Sequence, residues 1–203
     1  GYYCESGSTR DDQNECGSVD KYCPAGSETP LVVPDGYYSG PEDASETTRS
    51  EKTICPAGYY CTGGQKFECP AGSLGEAEGQ WNPTCDGQCP RGYYCTGGEK
   101  HECGSVDKYC PAGSSAPTNV TTGHYSGPSD VNENVRYEET ICPVGYYCVG
   151  GEKFECASGY FGNSTGLTTS QCSGMCKDGY YCESGSTRDD QNECGSVDKY
   201  CPA

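Results

Sequence analysis

Large apolar side chains are nearly missing from this chain. Its 203 residues include three phenylalanines, one tryptophan and one methionine, and Leu and Ile are hardly more frequent. So little apolar surface excludes a large hydrophobic core, and with it a fold held by burial alone. No run is apolar and long enough to span a bilayer, so no direct membrane insertion is expected. No leader-like segment is present, and the chain reads as a window cut from something longer. Basic residues are also few, 13 Lys and Arg against 30 Asp and Glu, for a net charge of −17. That balance excludes nucleic acid, whose phosphates need cationic partners, and docking on anionic lipid. Only two histidines occur, His101 and His124, and neither sits beside a nucleophile motif. The carboxylates are scattered and form no matched acid and base pair, so the chain reads as non-enzymatic and needs no cofactor. Two histidines and no paired Cys-x-x-Cys knuckles also fit a zinc ribbon poorly. No Asp-x-Asp-x-Asp-Gly loop marks a calcium site, and the acidic surface reads as solvated and self-repelling.

What is abundant is cysteine, glycine, proline and tyrosine: 19, 30, 13 and 18 residues respectively. Cysteine near a tenth of the chain marks a disulfide scaffold, hence an oxidising compartment and secretion. The recurrent unit is Gly-Tyr-Tyr-Cys, at Gly1, Gly58, Gly92, Gly145 and Gly179. The last four boxes follow Cys55, Cys89, Cys142 and Cys176 at one spacing, and three of them read Cys-Pro-x-Gly-Tyr-Tyr-Cys. The proline presets the approach, the glycine admits the positive φ of a tight turn, and the two tyrosines of an extended stretch face opposite ways. The box therefore predicts a rigid bend with an aromatic plate on each side and a thiol at each end. The tyrosines read first as packing over the bridges; stacking on carbohydrate and oxidative cross-linking are the functional alternatives.

Residues 1–25 recur letter for letter as residues 179–203, a period of 178 residues. Identity over such a length indicates recent duplication or homogenisation of a repeat array. A shorter period lies inside it. From Cys23 the cysteine steps are 32, 6, 8, 16, 4 and 6, and the same series starts again at Cys110. GSVDKYCPAG recurs at Gly17 and Gly104. The two halves, 91 and 87 residues, differ by four extra residues within Glu5 to Glu15. The expected division is 1–88 and 89–175, each a cysteine-rich double repeat, with 176–203 opening the next copy. β-formers between turn signals predict short strands and hairpins, and helical periodicity is sustained nowhere. The expected fold is small, disulfide-rich and irregular, with short β-hairpins and almost no helix, drawn out as an elongated tandem-repeat rod.

Two sequons, Asn119-Val120-Thr121 and Asn163-Ser164-Thr165, predict N-glycosylation at Asn119 and Asn163, whereas the proline of Asn82-Pro83-Thr84 excludes that site. Ser114, Ser115, Thr118 and Thr121 lie near prolines and suit O-glycans. His124 stands where the first half has Tyr37, and His101 where the neighbouring boxes have Phe67 and Phe154, so both read as tolerated aromatic positions.

The tandem Cys-Pro-x-Gly-Tyr boxes at Cys55 to Cys61 and Cys89 to Cys95 resemble ephrin-receptor-like cysteine-rich repeats, over essentially the whole chain. Arrays of this type look like large surface proteins of algae and other protists, including mastigoneme proteins that form flagellar hairs. The resemblance implies an extracellular location, on a cell or flagellar surface. It also implies crossed pairing, first to third and second to fourth: Cys23–Cys61, Cys55–Cys69, Cys85–Cys95, Cys89–Cys103, Cys110–Cys148, Cys142–Cys156, Cys172–Cys182 and Cys176–Cys194. Cys4, Cys16 and Cys201 would then bridge to neighbouring repeats. From the residues alone, nearest-neighbour pairing such as Cys55–Cys61 stays open, since eight cysteines admit 105 connectivities. The expected function is structural, a glycosylated filament subunit joined to itself head to tail. The alternative is the stalk or ligand-binding ectodomain of a surface receptor or antigen.

Overall fold

The computed structural model describes residues 1–195. These form eleven two-stranded antiparallel hairpins in chain order. The first five are β1 (Tyr2–Tyr3) with β2 (Asn14–Glu15), β3 (Lys21–Tyr22) with β4 (Leu31–Val32), β5 (Tyr37–Gly40) with β6 (Glu51–Ile54), β7 (Tyr59–Thr62) with β8 (Gln65–Glu68), and β9 (Ser73–Leu74) with β10 (Gly87–Gln88). Then come β11 (Tyr93–Thr96) with β12 (Glu99–Glu102), β13 (Lys108–Tyr109) with β14 (Thr118–Asn119), and β15 (His124–Gly127) with β16 (Glu138–Ile141). The last three are β17 (Tyr146–Val149) with β18 (Glu152–Glu155), β19 (Tyr160–Phe161) with β20 (Gly174–Met175), and β21 (Tyr180–Tyr181) with β22 (Asn192–Glu193). Among the described residues, helix is limited to two 3₁₀ turns, Glu46–Thr48 and Glu133–Val135, capped by the side chains of Ser45 and Asn132. The fold is thus small, disulfide-rich and irregular, built almost wholly of short β-hairpins.

The chain divides into two compact units. One holds Gly1–Pro90, Tyr94–His101 and Gly113–Ser115; the other holds Arg91–Tyr93, Glu102–Ala112 and residues from Ala116 onward. Within each, the same turn starts hairpin after hairpin. At Pro56-Ala57-Gly58-Tyr59 the Tyr59 N–H donates back to the Pro56 carbonyl at 3.2 Å, with Gly58 at φ 85°. At Pro143-Val144-Gly145-Tyr146 the same bond is 3.2 Å and Gly145 has φ 81°. A positive φ at the third position makes these type II turns. Proline need not stand first: Ala157 accepts from Tyr160, and Lys177 from Tyr180, both at 3.0 Å. The far ends of β7–β8 and β17–β18 close through Gly63-Gly64 and Gly150-Gly151, all at positive φ, as a two-residue type I′ loop requires.

The turn glycine also fastens its hairpin to a neighbour. Gly58 donates its N–H to the Gly75 carbonyl at 2.7 Å and accepts from Cys69 at 2.8 Å. Gly145 donates to Gly162 at 2.8 Å and accepts from Cys156 at 2.9 Å. Consecutive hairpins are therefore laddered by backbone hydrogen bonds at the turn, which satisfies main-chain groups that no long strand could pair.

The bridges join cysteines nearest in sequence: Cys16–Cys23, Cys55–Cys61, Cys69–Cys85, Cys89–Cys95, Cys103–Cys110, Cys142–Cys148, Cys156–Cys172 and Cys176–Cys182. The crossed pairing implied by the resemblance is therefore wrong. Cys23–Cys61, Cys55–Cys69, Cys85–Cys95, Cys89–Cys103, Cys110–Cys148, Cys142–Cys156, Cys172–Cys182 and Cys176–Cys194 do not form. Cys16 bonds Cys23 rather than a neighbouring repeat. Cys194 is bridged, but not to Cys176, whose partner is Cys182. Cys4 is a free thiol, and Cys201 lies outside the described residues. The reason is the type II turn. It folds the seven-residue box back so that Cys55 and Cys61 have Cα atoms 5.6 Å apart, within disulfide reach, and a six-residue loop is cheap to close. Cys55 ends one hairpin and Cys61 lies in the next, so each local bridge still staples consecutive hairpins.

Eight of the ten successions carry such a bridge. The passages from β3–β4 to β5–β6 and from β13–β14 to β15–β16 do not, and buried polar contacts take its place. Ser39, 1% exposed, donates from Oγ to the Val19 carbonyl at 2.6 Å, and Arg49 Nη1 donates to the Ser39 carbonyl at 2.9 Å. In the second unit Ser126 donates to Val106, and Arg136 Nη1 to the Ser126 carbonyl at 2.7 Å. A buried donor and acceptor pair of this kind is worth ~1–3 kcal/mol when one member is removed. Ser39→Ala is expected to destabilise this passage by that amount. Faster exchange of the Val33 amide, bonded to Asp20 at 2.8 Å, would report it, with amides around the bridged Cys89–Cys95 box unchanged.

Candidate interaction surface

The paired tyrosines of the boxes at Gly58 and Gly145 face opposite ways, and each side carries its own chemistry. On one side Tyr60 stacks on Phe67 at 5.3 Å between ring centroids and Tyr147 on Phe154 at 5.4 Å, and Tyr94 meets His101 at 5.1 Å with the rings tilted. The register sets these contacts, since Tyr60 lies directly opposite Phe67, and Tyr147 opposite Phe154. His101 thus occupies an aromatic place, against Tyr94 and within 3.4 Å of the Thr96 hydroxyl. Phe67 and Phe154 remain about two-fifths exposed, so the pairs form aromatic plates open to solvent.

On the other side lysines lie over tyrosine rings. Lys66 Nζ sits 4.9 Å from the Tyr38 centroid and 5.2 Å from that of Tyr59, and pairs with Glu42 at 2.8 Å. Glu42 above all, with the two rings, holds the Lys66 ammonium above its ordinary pKa. Lys153 repeats the arrangement over Tyr125 and Tyr146, at 4.9 and 5.0 Å. Such contacts shield the ring faces while leaving the ammonium wet.

One position departs from the repeat in a coupled way. In the first unit Lys52 lies over Tyr22 and Tyr37, at 5.8 and 5.0 Å. In the second unit, 87 residues on, the three positions are Glu139, Tyr109 and His124. Glu139 accepts from the Thr121 N–H, and from the Tyr109 hydroxyl at 3.5 Å. Burial pushes the Glu139 carboxyl up, but the bonds from Thr121, the nearby His124 and the Tyr109 hydroxyl together hold it below its ordinary value. A carboxyl with a depressed folded pKa contributes stability above its unfolded value, and that contribution is lost as pH falls through the folded one. The β15–β16 hairpin is therefore expected to loosen below about pH 4.5, the ordinary value for this group. Amide exchange across pH in wild type and Glu139→Gln tests it: the variant should lose the acid-sensitive component, and β5–β6, built on Lys52, should show none at that position.

Both sequon asparagines are exposed, Asn119 on β14 and Asn163 in the loop after β19. Their sequon hydroxyls, on Thr121 and Thr165, are exposed as well. The first unit has Val32 and Glu76 at the matching places, so the sequons belong to one half of the period alone. Of the residues suited to O-glycans, Ser115, Thr118 and Thr121 are exposed and Ser114 is half-buried.

The first hairpin and its duplicate have different surroundings. At the duplicate, Cys182 is 4% exposed and Ser186 1%, covered by residues 156–177; at the first, Cys4 and Ser8 are both part-exposed. Among the described residues, no three His, Cys, Asp or Glu side chains come together as metal ligands would, and no helix is long and apolar enough to cross a membrane. The Ser39–Arg49 contact was not anticipated. Its signal in the sequence is Tyr-Ser-Gly-Pro at Tyr38 and Tyr125, each followed by an arginine, Arg49 and Arg136. The Lys52 to Glu139 exchange was readable too, as the companion of the Tyr37 to His124 difference.

No known protein family and no curated protein matches this chain.

Proposed function

We propose that this protein is a structural subunit of an extracellular glycosylated filament, made of tandem hairpin repeats and joined to itself head to tail. Its role is mechanical rather than catalytic, and its place is a cell or flagellar surface. The bridges, eight of them between described residues and a further one at Cys194, presuppose an oxidising environment, which fits an extracellular role. The observation that carries the reading is the passage into the second copy of the 178-residue period. It uses the same devices as the interior passages: the Cys176–Cys182 bridge, the type II turn at Lys177 to Tyr180, and the Gly159 N–H to Cys182 carbonyl bond at 2.9 Å. An array built this way has no step at which stacking must stop, and units that contact mainly their sequence neighbours propagate in one dimension. The likeness of the boxes to ephrin-receptor-like repeats, found in arrays of surface proteins, agrees with it. The net charge of −17 keeps such threads apart at low salt.

Electron microscopy of native material tests the proposal. Long thin filaments with a constant axial period matching 178 residues are expected; isolated particles would overturn it in favour of a receptor ectodomain. In secreted protein, glycosidase treatment is expected to remove sugar from Asn119 and Asn163, and Asn119→Gln with Asn163→Gln should abolish the shift.

A further inference from the structure

We infer that the first sugar of the glycan on Asn119 folds back onto the protein and rests in the hollow walled by Val120, Thr121, His124, Val149 and Thr168. This rests on glycosylation at Asn119, proposed above, and assigns that sugar a seat.

The hollow measures about 140 Å³ and lies wholly within the second unit. It opens beside the sequon, since Val120 and Thr121 are two of its walls. Asn119 ends β14 and is exposed. The ladder continues one residue further, where the Val120 N–H donates to the Asp107 carbonyl at 2.8 Å. Alternation along this extended stretch puts Asn119 and Thr121 on one side.

The first unit shows what the hollow lacks. At the matching positions, 87 residues earlier, Trp81 stands for Thr168, Tyr37 for His124 and Thr62 for Val149. The backbones agree: Gln80 accepts from the Cys61 N–H and Leu167 from the Cys148 N–H, both at 2.8 Å, so Trp81 and Thr168 leave the same point of the two units. In the first unit the Thr62 hydroxyl also donates to the Asp35 carboxylate at 3.1 Å, and Val33 is 4% exposed. In the second unit that bond is gone, because its members are Val149 and Thr122. Val149 is 55% exposed, and Val120, the counterpart of Val33, is only half-buried. The unit that lacks the two large rings and the polar clasp is the unit that carries the sequon, where the first has Val32.

An N-acetylglucosamine suits these walls. No Asp, Glu, Lys or Arg lines the hollow, which matches an uncharged occupant. The C–H face and the acetamido methyl of the sugar cover Val120 and Val149, and the hydroxyls of Thr121, Thr122 and Thr168 bond its polar rim. At Gly150 nothing lies within 4 Å of where a Cβ would stand, so that rim is open to the ring. Attachment one residue from the seat makes the contact intramolecular, and a weak interaction then suffices to populate it.

The test uses the full-length Asn163→Gln chain, secreted by a host that adds oligomannose glycans and trimmed by endoglycosidase to one N-acetylglucosamine. Mass spectrometry first locates the sugar on Asn119. Nuclear Overhauser contacts are expected from the sugar to the Val149 methyls and the His124 ring. Amide exchange at Val120 and His124 should be about tenfold slower than in the Asn119→Gln, Asn163→Gln chain, the worth of a few tens of Å² of apolar surface covered. Thr168→Trp, an exposed change that restores the ring of the first unit, should abolish the contacts with the sugar still attached. Sugar on Asn119 without these contacts, or with unchanged exchange, would overturn the seat and leave glycosylation standing. Absence of sugar mass at Asn119 would remove both.

Discussion

Reduction and alkylation of the bridges should unfold both compact units, while the oxidised protein withstands heat, mild denaturant and protease. Among the described residues the buried apolar side chains are fifteen cysteines and Val33. The sulfurs are the core, and no second layer of aliphatic side chains supports them. In the chain-entropy description each six- or seven-residue loop contributes ~2 kcal/mol and each sixteen-residue loop ~3 kcal/mol, so the set contributes about 20 kcal/mol. That exceeds the whole net stability of an ordinary domain, about 5–15 kcal/mol. A reduced chain would also feel the mutual repulsion of its acidic residues, with only backbone ladders and aromatic plates to oppose it. Circular dichroism and limited proteolysis, before and after reduction, measure the effect. Unchanged protease resistance in the reduced chain would mean that the bridges are not the core.

Gly145→Ala should be strongly damaging, and Gly159→Ala is its control. Both glycines occupy the third position of the same turn, at φ 81° and 88°. An alanine in that region costs ~1–2 kcal/mol for any side chain. At Gly159 nothing lies within 4 Å of the added Cβ, so that cost is the whole effect. At Gly145 the Cβ would lie 2.5 Å from the Gly185 carbonyl oxygen, inside contact distance of a backbone atom fixed by its own hairpin. Relief requires that the two hairpins separate, with loss of packing worth a further ~1–3 kcal/mol. The midpoint of thermal unfolding should fall by roughly ten degrees for Gly145→Ala and by a few degrees for Gly159→Ala. Equal shifts for the two variants would show that the close approach has no energetic weight.

Much of this was written in the chain. Cysteine, glycine and proline content demanded a disulfide scaffold of short strands, because no other element could form without apolar periodicity. The Gly-Tyr-Tyr-Cys box specified a bend with aromatic plates on both sides, since alternation along a strand is a local property. The 178-residue identity and the 87-residue offset between halves were likewise legible, as were the exposed sequons.

The pairing of cysteines was not legible. Spacing alone admits crossed and nearest-neighbour schemes, and the family likeness favoured the wrong one. Distance decided it: the type II turn brings Cys55 to Cys61, with Cα atoms 5.6 Å apart, within disulfide reach. The sequence also could not say where a bridge is replaced. Ser39 and Arg49 are ten residues apart in a polar loop, and only the packing of β5–β6 against the Val19 carbonyl buries them together. Local chemistry determined the turns, the strands and the bends; contacts between hairpins decided the bridges and the buried polar pairs.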